Sequence, residues 1–190
     1  MATRFTAVFS LILYNNIKKF TMENIARQQI SINLEVMDML NQQIAKEQHS
    51  SSVYLAMASW CDQKGLSRSA SFFYKQSLEE REHMMKIFKF INDCGGAAHS
   101  PEVSNIAHEY ASLKEIFELA LQQEIAITQS IYKIVAACRK VNDFGAENFL
   151  QWFVEEQMEE EQSIRDILDM MELMGDDAAL KLIDERIPKE

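Results

Sequence analysis

"LEEREHM", residues 78–84, carries a charge or an imidazole at five of its seven positions, although phenylalanine, methionine and isoleucine crowd both flanks. On an α-helix, residues i and i+3 share a face, so Glu80 and His83 point the same way. Whether that face meets water or core decides what kind of helical protein this is.

Composition favours helix throughout. The chain has 190 residues, 47% of them hydrophobic, with only five Gly and two Pro. That is long enough for a real core, and so few breakers imply long helices rather than many short strands. The expected class is all-α. A net charge of −10 argues against nucleic acid or an anionic membrane as partner and favours cations. Cys61, Cys94 and Cys138 are odd in number and lack CxxC spacing, which fits free thiols in a reducing cytoplasm. Residues 1–21 hold Arg4 and an apolar run from Phe5 to Leu13, too short to span a bilayer and without a small-x-small cleavage site. They are read as a flexible extension or a start called too early, with Met22 the true beginning and 22–190 a single domain.

Caps and breakers place the main helices at about 33–63, 67–94, 112–140 and 143–174, with a short helix at 177–187. Gly65 and Ser67 separate the first two, and "CGGAAHSP" (94–101) ends the second. Ser112 with Glu115 forms a capping box, while Asp143 and Asp177 are candidate N-caps and Gly175 a stop. Two junctions are short and force antiparallel neighbours; the one between helices two and three is long enough to cross the whole bundle. The predicted topology is a four-helix bundle with one crossover and a short fifth helix.

The buried seam of such a bundle follows three- and four-residue steps. In helix one it passes Met37, Leu40, Ile44, Glu47, Ser51, Tyr54, Ala58 and Cys61; in helix two Phe73, Gln76, Glu80, His83, Ile87, Phe90 and Cys94. Helix three gives Leu113, Phe117, Ala120, Glu124, Ile127, Ile131, Ile134 and Cys138; helix four gives Ala146, Phe149, Phe153, Glu156, Glu160, Ser163, Ile167, Met170 and Met174. Each helix therefore carries an inward carboxylate, and each of Glu47, Glu80, Glu124 and Glu156 lies roughly 18 Å along its helix. One buried glutamate is usually a paired core charge. One on every helix at matched depth needs cations, because like charges stripped of water repel. Oxygen ligands with one imidazole suit hard or borderline ions, two carboxylate-bridged irons better than a lone zinc.

At these residues the chain resembles the bacterial non-haem ferritins, over about residues 33–187. The carrying stretches are "KEQHSSSVYLAMASW" (46–60), "LEEREHM" (78–84), "QQEIAITQSI" (122–131) and "NFLQWFVEEQMEEE" (148–161). The resemblance implies a ferritin-like bundle that oxidises Fe(II) with O2 or peroxide and stores ferric mineral inside a cytoplasmic homo-oligomeric cage of twenty-four subunits. It implies one iron held by Glu47, Glu80 and His83, and a second held by Glu80 as bridge with Glu124, beside Gln157. A third would use Glu79, Glu156, Glu159 and Glu160. Tyr54 matches a tyrosine that hydrogen-bonds near the centre and can donate an electron.

Departures from neighbouring families narrow the reading. A second Glu-x-x-His on helix four, found in bacterioferritins, is replaced here by Glu156 followed at i+3 by Glu159. The bacterioferritin haem methionine has Arg81 in its place, so no haem is expected there. A di-iron oxidase or peroxidase of rubrerythrin type would call for that second motif or a CxxC pair. A helical interaction protein would use the glutamates only for register and would take up no iron. His49, His99 and His108 fall away from the inferred centre, and Met170, Met171 and Met174 are read as packing.

Overall fold

The computed structural model describes residues 29–175 and 179–188, and every described element is helical. The helices are α1 Leu34–Gln63, α2 Ser67–Asp93, α3 Leu113–Val141, α4 Phe144–Met174 and the short α5 Leu180–Asp184. The readings of residues 1–21 and of Asp177 as a cap lie outside the described residues. No helix among the described residues is long and apolar enough to cross a membrane, and all three cysteines are free thiols.

Hydrogen bonds between helices give the directions. Gln48 and Ser51 of α1 meet Arg81 and Ser77 of α2, so these two run antiparallel. Gln43 and Tyr54 of α1 meet Ser130 and Glu124 of α3, again with opposed numbering. Arg139 of α3 meets Glu147 of α4, and Thr128 meets Glu161. α2 and α3 therefore point the same way, which residues 94–112 make possible by travelling the bundle's length. The two glycines that open this crossover are sterically required. Gly95 has φ +77°, and a Cβ on Gly96 would stand 2.7 Å from Met37 Sδ.

Side-chain caps stop the helices where free N–H groups would otherwise remain unpaired. Asn33 Oδ1 accepts from Glu35 N at 2.9 Å, and Asp143 Oδ1 from Ala146 N at 3.0 Å. Ser112 Oγ accepts from Glu115 N at 3.0 Å, but Glu115 reaches back to Ala111 N rather than to Ser112 N. α2 has no cap of its own, since its N-cap position is Leu66. Asp184 of α5 fills that role, accepting from Ser69 N at 2.8 Å, Ser69 Oγ at 2.6 Å and Arg68 N at 3.3 Å. The short helix is thus held against its own chain, with Ile187 buried and Leu180 and Leu182 exposed.

The apolar core is divided in two. One cluster gathers Tyr54, Phe73, Phe117, Ile164 and Met171; the other gathers Leu40, Ile44, Ile87, Ile131 and Phe153. Between them lies a buried polar layer of Glu47, Gln76, Ser77, Glu80, His83, Glu124, Gln157 and Glu160. The α3 seam is buried at every expected position. The α4 seam is corrected: it runs through Leu150, Phe153, Gln157, Glu160, Ile164, Ile167 and Met171, leaving Phe149, Glu156, Ser163, Met170 and Met174 at its border. Met37, Phe90 and Cys94 are likewise half-buried. Steps of three and four alternate freely along a helix, so two neighbouring lines were both open to α4.

Candidate metal centre

Glu47 of α1 and Glu80 and His83 of α2 face each other across the polar layer, each offering a ligand atom within 4.8 Å of the others. All three are buried, at 1%, 1% and 3% exposure. Glu47 Oε2, Glu80 Oε2 and His83 Nδ1 have no hydrogen-bond partner, and the last two lie 3.8 Å apart. Buried polar atoms are almost always paired. Three residues that each carry an unpaired polar atom and that can bring ligand atoms within 4.8 Å of one another fit a cation, for which two carboxylate oxygens and an imidazole nitrogen are the donors. The imidazole is held edge-on by Trp152 and Phe153, with ring centroids 5.4 and 6.0 Å away, and its Nε2 lies 4.0 Å from Glu156 Oε1.

Glu124 of α3 stands beside this group and is already hydrogen-bonded on both oxygens. Tyr54 OH donates to Oε1, and Gln157 Nε2 donates to Oε2 at 2.9 Å. A carboxylate has lone pairs to spare for a metal as well. Burial pushes the Glu124 carboxyl up to about 7 even though Tyr54 and Gln157 hold it down. Glu80 is raised well above the carboxylate range, first by burial, then by Glu124 and Glu47. Glu80 is thus the carboxylate that feels both of those charges. Tyr54 is also raised, by burial and then by Glu124, which keeps its phenol protonated.

The four remaining glutamates are spread from core to surface. Glu156, with its side chain 27% exposed, and the buried Glu160 form a second potential ligand group with His83. Burial, followed by Glu124, pushes Glu160 up to about 8; Gln76 opposes this, while Glu79 and Glu156 add to it. Glu79 accepts from Gln76 Nε2 at 2.9 Å and pairs with Lys75 Nζ at 3.5 Å. Glu159 is exposed. His99 and His108 are exposed in the crossover, and His49 is half-buried on α1.

A family model of the ferritin-like domain matches residues 37–174. The chain belongs to the ferritin family. It is 42% identical over 151 residues to a Haemophilus influenzae protein named "Probable bacterial non-heme ferritin-like protein", spanning 79% of this chain and 92% of that one. It is 35% identical over 142 residues to the bacterial non-heme ferritin of Campylobacter jejuni, spanning 75% and 85%. An open pore ferritin from the hyperthermophilic archaeon Archaeoglobus fulgidus superposes with a TM-score of 0.79 at 36% identity, covering 83% of this chain and 96% of that one.

Around the carboxylates of this ferritin lie polar residues that the seam did not reveal. Gln43, fully buried, donates from Nε2 to Glu47 Oε1 at 2.8 Å. Thr128 Oγ1 donates to Glu161 Oε1 at 2.7 Å and lies 3.5 Å from Gln157 Nε2. The i,i+4 spacing of Gln43 and Glu47 was a usable signal, since such pairs face each other on a helix. Thr128 and Ser130 carried none, because their partners are on other helices.

Proposed function

We propose that this ferritin oxidises Fe(II) at a paired site and stores the product as ferric mineral. Glu47, Glu80 and His83 hold one Fe(II); Glu80 and Glu124 hold the second, beside Gln157. Each Fe(II) gives up one electron, so the pair reduces one O2 by two electrons, and two protons complete hydrogen peroxide. Carboxylate oxygens favour Fe(III) over Fe(II), which helps that electron loss. Tyr54 holds Glu124 in place through its hydrogen bond; its role as an electron donor, which the resemblance implies, would carry reduction of the peroxide one electron further, with its phenol proton passing to Glu124. Glu79, Glu156, Glu159 and Glu160 form a third, all-oxygen station on the way out. The family relationship supports iron as cargo and a homo-oligomeric shell of twenty-four subunits in the cytoplasm, built from one domain over residues 22–190, without haem.

The observation that carries the reading is that buried Glu47, Glu80 and His83 each carry an unpaired polar atom and can bring ligand atoms within 4.8 Å of one another. Anaerobic Fe(II) titration, followed by aerobic loading with particle sizing and iron analysis, tests it. The expected result is tight Fe(II) binding in a small whole number per subunit, then retention of far more iron than these side chains can ligate. Absence of anaerobic binding overturns the site; binding without retention overturns storage.

A further inference from the structure

A chain of hydrogen bonds runs from the surface into the back of Glu47. Lys46 is exposed on α1, and its Nζ lies 2.5 Å from Ser130 Oγ on α3. Ser130 Oγ is 2.6 Å from Gln43 Oε1, and Gln43 Nε2 is 2.8 Å from Glu47 Oε1. Ser130 and Gln43 are buried, at 8% and 0% exposure.

The bonds of this chain all run the same way, from an ammonium donor at one end to the Glu47 carboxylate, which accepts, at the other. An ammonium can only donate. Ser130 Oγ accepts from Lys46, and its single proton goes to Gln43 Oε1. An amide whose oxygen is thus engaged turns its NH2 group to Glu47. Glu47 Oε1 is then occupied by a donor, and Oε2 alone is left without a partner, on the side of Glu80 and His83.

We propose that Lys46, acting through Ser130, sets the polarity of this relay and makes Gln43 a positioning residue that presents Glu47 to Fe(II) through Oε2 only. This rests on the reading of Glu47 as an Fe(II) ligand given above. Neither Lys46 nor Gln43 touches the metal; each acts through the next group. An acceptor at position 46 would reverse the chain. Ser130 would donate outward, Gln43 would give its NH2 to Ser130, and its carbonyl oxygen would face the Glu47 carboxylate. Glu47 would lose its donor and be repelled, with both oxygens free to swing.

The test uses the full-length, iron-free protein with two probes measured anaerobically, Fe(II) by titration and Co(II) by titration and visible spectrum. Co(II) is not oxidised under these conditions, and its ligand-field bands report ligand number and geometry. Lys46→Arg keeps an obligate donor and should match the parent in affinity and spectrum. Lys46→Glu should weaken binding about 10- to 100-fold, the range for partners that orient metal ligands, and should change the Co(II) band shape. Because Lys46 is on the surface, this substitution replaces no buried side chain.

Charge alone also predicts some weakening, so the same Lys46→Glu change is made in a Ser130→Ala background, where the relay is cut but the charges remain. There the change should alter affinity by no more than about threefold, because exposed charges are screened. An equal loss in both backgrounds, or an unchanged Co(II) spectrum in Lys46→Glu alone, overturns the relay. Failure of the parent protein to bind either ion overturns instead the assignment of Glu47 as a ligand.

Discussion

Iron-free protein should lose stability as pH rises from about 5 to about 8, and Glu80→Gln should recover the part of that loss that comes from Glu80 itself, whose carboxyl is raised first by burial and then by Glu124 and Glu47. Glu160 has a carboxyl whose ordinary value of 4.5 is pushed up to about 8, first by burial and then by Glu124. Glu124 is pushed up to about 7, chiefly by burial. Between the ordinary and the raised values the folded state holds protons that the unfolded chain has released. The stability these groups contribute is therefore fully present below the unfolded value and is lost as pH climbs through the folded one. For Glu160 the loss is on the order of 5 kcal/mol, and for Glu124 on the order of 3 kcal/mol. The two overlap, since the Glu124 charge is part of what raises Glu160, so the total is smaller than the sum. Glu80→Gln keeps the shape of the side chain and removes the carboxylate lying between Glu47 and Glu124. At about pH 8 it should raise the unfolding midpoint by several degrees, while at about pH 5 it should change little. Rapid Fe(II) oxidation should disappear with the proposed bridge. Scanning calorimetry of chelator-treated parent and variant at both pH values measures this. A parent midpoint that does not fall with pH, or a variant less stable than the parent at about pH 8, would refute the charge-repulsion account.

Asp184→Ala should destabilise the folded chain by about 2–4 kcal/mol in urea unfolding, because it takes from buried Ser69 its acceptor and from α2 the side chain that caps it. A loss within about 0.5 kcal/mol, the usual range for a surface change, would show that α5 is merely resting there. Glu79→Gln combined with Glu159→Gln should leave the initial stopped-flow oxidation rate largely intact while slowing transfer of iron to mineral; a collapse of the initial rate would place these glutamates in the paired site instead.

Much of the architecture was legible because its signals are local. Ser112, Asp143 and Gly175 mark helix ends by chemistry that acts within one turn, and the α3 stripe from Leu113 to Cys138 contains one unambiguous apolar line. On α4 the line forked after Phe153, toward Glu156 or Gln157, and both steps are helical. The choice is made by Glu124, thirty-three residues away in sequence, whose carboxylate receives the Gln157 amide. Asp184 shows the same limit. An acid in a five-residue helix looks solvated until the fold places it over the uncapped N-terminus of α2. Lys46 and Ser130 are eighty-four residues apart, so no periodicity within either helix joins them.

Replacing Glu156 by Gln157 in the deepest line changes more than a register. The buried donors are then Glu47, Glu80, Glu124 and Glu160 with His83 and Gln157, four carboxylates where the expected seam would have placed a fifth. On the proposed reading two Fe(II) match that charge, and oxidation adds two more positive charges within a buried layer, where uncompensated charge is costly. Two carboxylates stand immediately beside the pair: Glu160, whose carboxyl is raised to about 8 and so becomes an anion when a cation approaches, and the partly exposed Glu156. A fifth inner anion would hold Fe(III) where it formed. An amide there, with carboxylates one step outward, makes the oxidised ion less at home in the pair than beside it, which is the balance storage requires and a metal-retaining oxidase does not.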